Sequence, residues 1–109
     1  MTKKPKKPAH LARRGGAFWS QIVDAYDLEQ HDMPLLVGAC ELLDRAEAAR
    51  KQIDTDGLTI TDRFGQMKPH PCIDTERQSL LAYIRLRREL GIDVEPPADS
   101  RPPLLRGYR

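Results

Sequence analysis

DMPLLVGACELLDRAEAARKQI, residues 32–53, reads as one long helix with a continuous apolar seam. Leu35, Ala39, Leu42, Ala46, Ala49 and Ile53 fall at alternating steps of four and three, which keeps them on one side of a helix, and Leu36, Cys40 and Leu43 widen the stripe. Asp32 can accept from the free N–H groups of the first turn, where Pro34 has no N–H to lose. Arg45, Arg50 and Lys51 sit toward the C-terminal half, where positive charge suits the helix dipole. A seam of this length must be covered, so the flanking segments decide the fold.

On the N-terminal side, Trp19, Ile22, Val23 and Tyr26 stand at i, i+3, i+4 and i+7, with Phe18 beside them. This predicts a short helix from Ala17 to near Asp27, preceded by a hinge at Gly15-Gly16. On the C-terminal side, Asp54-Thr-Asp-Gly57 stops the long helix and Leu58-Thr-Ile-Thr61 alternates with period two. Asp62-Arg-Phe-Gly65 supplies a turn and Gln66-Met-Lys68 can pair back, which predicts a small β-hairpin. Strands this short must be held by something outside the hairpin. Pro69-His70-Pro71 forces an extended lead into a third helix, from Ile73 or Asp74 to Leu90, closed by Gly91. Ile73, Leu80, Leu81 and Ile84 form one face of it, and Tyr83, Leu86 and Leu90 an adjoining one, an arc of roughly 200°. Either a small core wraps this helix, or Tyr83, Leu86 and Leu90 serve a neighbouring subunit.

The 109 residues carry 18 Lys and Arg against 16 Asp and Glu, a net charge of +2 that describes no part of the chain. Residues 1–14 hold six bases and no acid; residues 15–62 hold ten acids and three bases; residues 63–109 hold nine bases and six acids. Six of the nine prolines lie in the two ends. The organisation expected is a disordered basic arm over 1–14, a folded domain over 15–93 and a Pro/Arg-rich tail over 94–109. A domain of about 80 residues has a thin core and often needs a disulfide, a metal or an oligomeric partner. Cys40 and Cys72 cannot build a disulfide framework, the three histidines show no metal spacing, and no apolar run approaches a membrane span. The reading is therefore a soluble, intracellular protein with self-association as its remaining support.

Catalytic patterns are missing. There is no phosphate-binding G-x-x-x-x-G-K-[ST], and Ser20, Ser79 and Ser100 are in no nucleophile elbow. Asp54-x-Asp56-Gly57 lacks the remaining ligands of a calcium loop and reads as a polar helix stop. Asp24, Asp27, Glu29 and Asp32 lack the basic or histidine partner of a metal-dependent nuclease. No catalytic residue, metal or cofactor is expected. The basic arm has a physical role outside the fold: Lys3, Lys4, Lys6, Lys7, Arg13 and Arg14 can neutralise phosphates and release counterions without a fixed shape. They are candidate nucleic-acid-binding residues, DNA-binding if the partner is a duplex; Lys/Pro tails also occur as solubilising ends or contacts for acidic partners. Arg85, Arg87 and Arg88 on the third helix are a second candidate group, or a solvated face at the helix C-terminus.

The order of elements has a family outline. Trp19-Ser20-x-Ile22-Val23 is followed by Asp32-x-Pro34-Leu35-Leu36, then Gly57-Leu-Thr-Ile-Thr-Asp-Arg-Phe-Gly65, Lys68-Pro-His-Pro71 and Glu89-Leu90-Gly91-Ile92. Over residues 15–93 this resembles the small terminase subunit of tailed double-stranded DNA phages. The family often passes from Leu-Gly-Ile straight to a short Pro/Ser/Arg ending, whereas here Asp93-Val-Glu-Pro-Pro-Ala-Asp intervenes before Ser100-Arg101.

The resemblance implies a mainly α protomer of three helices with a β-hairpin between the second and third, assembling as a ring-like homo-oligomer. It also implies a non-catalytic subunit, in the host cytoplasm, that recognises viral double-stranded DNA and delivers it to the large terminase subunit. That partner holds the ATPase and nuclease. Two other classes remain open at this point. One is a helical adaptor or phage structural protein binding acidic protein surfaces; the other is a small helix-turn-helix transcriptional regulator.

Overall fold

In a computed structural model of the chain, residues 5–92 are described. Helix α1 (Arg13–Ala25) is followed by a 3-10 turn (Gln30–Asp32), helix α2 (Met33–Asp56), strands β1 (Thr59–Thr61) and β2 (Met67–Pro69), and helix α3 (Pro71–Leu90). Three helices with an antiparallel hairpin between the second and third are as the periodicity predicts. The starts of all three helices differ in detail from that reading, each for a physical reason.

Helix α1 begins at Arg13 rather than Ala17, so Gly15 and Gly16 lie inside it and are buried. They are no hinge. A methyl group at Gly15 would stand 2.5 Å from Asp44 Oδ2 and 2.6 Å from the Cys40 carbonyl oxygen. The glycine is what lets α1 lie directly on α2.

Asp32 does not cap α2; its backbone is already helical and its side chain turns back. Its Oδ2 accepts the Glu29 N–H at 3.2 Å, closing a reciprocal capping box around the 3-10 turn, which runs straight into α2.

Helix α3 starts earlier than expected, at Pro71, because His70 supplies its N-cap: Nδ1 accepts the Cys72 N–H at 3.0 Å. With Nδ1 accepting, the ring proton is on Nε2, which donates to Asp56 Oδ2 at 2.9 Å. The His70 backbone N–H also reaches the Leu58 carbonyl at 2.8 Å. One buried histidine thus ties together the end of α2, the base of the hairpin and the start of α3. At its other end α3 closes in a Schellman motif. Gly91 adopts φ +76 and donates to Arg88 O, and Ile92 N–H bonds to Arg87 O.

The hairpin pairs Thr59 with Pro69, Ile60 with Lys68 and Thr61 with Met67. Residues 63–65 form its loop, with Gly65 at φ +80. Asp62 Oδ1 fixes this loop by accepting the Phe64 and Gln66 N–H groups.

The core sits where the three helices meet. Phe18, Trp19 and Ile22 of α1 pack on Leu36, Ala39, Cys40 and Leu43 of α2, with Ile92 closing one end. Ala46, Ala49 and Ile53 continue the buried seam toward the hairpin. Leu35 and Leu42 are only half-buried, so the centre of the stripe lies one residue on from where the periodicity puts it. Phe18 meets Tyr83 of α3 edge to face, centroids 5.3 Å apart. No described helix is long and apolar enough to cross a membrane.

Candidate nucleic-acid interface

Glu41, Asp44 and Glu47 follow one another at three-residue spacing on α2 and share a face of it. All three carboxylates receive donors from the segment around the start of α1. His10 Nε2 lies 2.7 Å from Glu41 Oε2. Asp44 accepts the Ala12 N–H at 2.7 Å with one oxygen and the Gly15 N–H at 2.6 Å with the other. Arg14 Nη1 donates to Glu47 Oε1 at 3.1 Å. Ala12 occupies the N-cap position of α1 but has no side chain able to cap. Asp44 performs that task across the helix pair and places a negative charge at the positive end of α1. The preceding Leu11 packs against the core and anchors the arm.

This arrangement sorts the predicted basic residues. Lys6, Lys7 and Arg13 are exposed and pair with no carboxylate among the described residues. The Lys7 side chain lies over Gly16. Arg14 is engaged by Glu47. Lys3 and Lys4 lie outside the described residues. An open cleft of about 550 Å³ runs between the start of α1 and α2, lined among others by Arg13, Arg14, Glu47 and Lys51. Lys51 is a cation of this edge that sequence reasoning used only as a dipole partner. The acidic row was also missed. Its spacing is legible in the sequence; its pairing with a segment about thirty residues away is not.

On α3 the three arginines separate. Arg85 and Arg88 are exposed. Arg87 is half-buried, its guanidinium 5.6 Å from the Tyr83 ring centroid and donating to the Tyr83 hydroxyl at 3.3 Å. Arg87 therefore belongs with the packing of α3. Tyr83, Leu86 and Leu90, expected to serve either the small core or a neighbouring subunit, pack against the core of the protomer at half-burial. Facing α2 and α1, they satisfy the subunit first. The apolar residues that α3 leaves in solvent are Leu81, 56% exposed, and Ile84, 44% exposed. At ~100° per residue, Leu81 lies on the same outward face as Arg77, Arg85 and Arg88. On the hairpin, Leu58, Phe64 and Met67 are also exposed.

The described titratable groups do not form a reaction centre. Cys40 is buried, and its thiol is pushed up to about 12 by burial first and then by the charges of Asp44 and Glu41, so it stays protonated. The Asp56 carboxyl is held below the usual range by hydrogen bonds from Gln52 first and then His70. Among the described residues no three His, Cys, Asp or Glu side chains are grouped so as to hold a metal ion.

A family model described as phage terminase, small subunit, matches residues 17–100. No curated protein and no solved structure matches the chain.

Proposed function

The chain belongs to the phage terminase small-subunit family, and from that premise we propose that it binds viral double-stranded DNA through its basic N-terminal edge and delivers it to the large terminase subunit for packaging. The observation that carries this reading is the group of exposed cations at the start of α1. Lys6, Lys7 and Arg13 are exposed there, and Arg13 lines a cleft that Lys51 also lines, while the described residues group no metal-binding side chains. Phosphate contact needs positive charge and a backbone able to follow the duplex, and residues 5–10, ahead of the Leu11 anchor, lie in no regular helix or strand. Lys3 and Lys4 would extend the same edge. The role is non-catalytic; the chemistry of cutting and translocation falls to the partner.

The protomer acts as a homo-oligomer in this proposal. The support is the outward face of α3, where Leu81 and Ile84 are exposed between arginines instead of being covered by the small core. A ring would bring several arms to one duplex, so weak contacts act together.

The test is duplex binding across a salt series, with mass in solution measured on the same samples. Replacing Lys6, Lys7 and Arg13 by Ala is expected to weaken binding and to lower the salt slope by about 0.9 for each phosphate no longer neutralised. Unchanged affinity and slope would refute the assignment of the DNA edge. Leu81→Asp is expected to lower the mass of the assembly while leaving the helical signal of the protomer intact. An unchanged mass would refute the α3 interface.

A further inference from the structure

The row Glu41, Asp44, Glu47 does more than cap α1. We propose that it is an internal docking surface for the basic arm that competes with DNA, so that the free protein holds part of its own DNA-binding edge closed. The proposal rests on the reading of the arm as the DNA contact.

The row gives a line of negative charge about 9 Å long, six residues at 1.5 Å each. Its two outer members are bound by side chains. His10 closes on Glu41 at 2.7 Å and Arg14 on Glu47 at 3.1 Å. The central member is bound by backbone, which fixes where the arm leaves α1. A carboxylate and a phosphate oxygen compete for the same guanidinium or imidazole N–H donors, so Arg14 and His10 cannot serve both partners in full.

The geometry adds a second effect. A duplex drawn toward Arg13 and Lys51 also meets Glu47 in the cleft, and this acid is least repulsive while Arg14 covers it. Turning the Arg14 side chain to DNA therefore uncovers charge that repels the duplex. The apparent affinity is reduced by the fraction of protein with a free arm.

The size of the reduction follows from exposure. His10 and Glu41 are 58% and 47% exposed, and Arg14 and Glu47 are 47% and 39% exposed. Exposed pairs of this kind hold their partners by a factor of about five at most. Two such pairs acting on one segment reduce affinity by about tenfold, a level that salt or a second arm on the same duplex overcomes. The arm is thus restrained against weak single contacts and released by a duplex that several protomers engage at once.

The experiment uses the full chain and a short fluorescent duplex of mixed sequence, with binding read by anisotropy at low salt. Glu41→Gln with Glu47→Gln removes the negative charge from both outer contacts and spares Asp44, so the cap of α1 stays intact. The double variant is expected to bind about tenfold tighter than the parent.

Asp27→Asn with Asp54→Asn makes the same change in net charge at exposed carboxylates that pair with no described residue. This control is expected to gain less than about twofold, because long-range charge is screened. Equal gains in the two double variants, or no gain in the first, overturn the proposal.

The Lys6/Lys7/Arg13→Ala variant separates the two levels. If it still weakens binding while the carboxylate variants match, the DNA edge stands and the competition falls. If it binds like the parent, the edge itself is misplaced and this inference falls with it. Thermal melts of all three variants near that of the parent confirm that the fold is intact.

Discussion

Gly15→Ala tests the packing of α1 directly, because helix propensity and tertiary structure predict opposite signs. Inside a helix, replacing Gly by Ala ordinarily stabilises by about 1 kcal/mol. Here the new methyl would lie 2.5 Å from Asp44 Oδ2, 2.8 Å from Asp44 Cγ and 2.6 Å from the Cys40 carbonyl oxygen. The carboxylate can swing away, but the carbonyl belongs to the backbone of α2 and cannot.

Relief requires α1 to lift off α2, which stretches the bonds from Ala12 and Gly15 to Asp44. Overpacking costs about 1–3 kcal/mol and the loss of a hydrogen bond to a charged acceptor about 1.5–3 kcal/mol. Against the propensity gain, the net loss is about 2–4 kcal/mol, which for a folded unit of this size lowers Tm by about 10–20 °C.

Gly16→Ala is the paired control, since the nearest atoms its methyl would meet are those of the Lys7 side chain at 3.4–3.8 Å, which can move. That variant is expected to match or exceed the parent by up to about 1 kcal/mol. Urea and thermal unfolding followed by far-UV circular dichroism, at matched protomer concentration, decide the matter. A Gly15→Ala protein as stable as the parent would refute the close approach of α1 to α2.

Asp44→Ala leaves Ala12 and Gly15 N–H groups without their acceptor and is expected to cost about 2 kcal/mol, with exchange of the amides at the start of α1 accelerated. The depressed Asp56 carboxyl contributes stability that is present above its unfolded value, about 3.9, and is lost as pH falls through the lower folded value. Gln52→Ala removes the larger cause, so it should be less stable than the parent at neutral pH, with the difference shrinking below about pH 4. The two cysteines should separate in a thiol-labelling assay on native protein. Half-buried Cys72 is expected to react in the native protein, whereas Cys40, buried and raised to about 12, reacts only on unfolding.

The number, order and type of elements were legible because each rests on a local property. The apolar seam of α2, the period-two run Leu58 to Thr61 and the stop at Gly91 are readable without any partner. The faces of α3 were not. Tyr83, Leu86 and Leu90 look as suited to a neighbouring subunit as Leu81 and Ile84 do, since periodicity gives relative angle and not the direction of the core. In the protomer Phe18 meets Tyr83, and that face packs toward the core at half-burial. Gly15-Gly16 misled for the same reason. A glycine pair signals either freedom or close approach, and only the position of the Cys40 carbonyl tells which.

For the candidate site, the sequence by itself determined the charge: a basic arm, an acidic middle and a basic third helix, because charge is additive along the chain. The tertiary structure decided which of those charges remain available. Arg14 and His10 are drawn onto Glu47 and Glu41, and Arg87 is folded over Tyr83, leaving Lys6, Lys7, Arg13, Arg85 and Arg88 exposed. Electrostatic attraction falls with distance in space, and the fold alone brings residues 10 and 41, or 14 and 47, within reach.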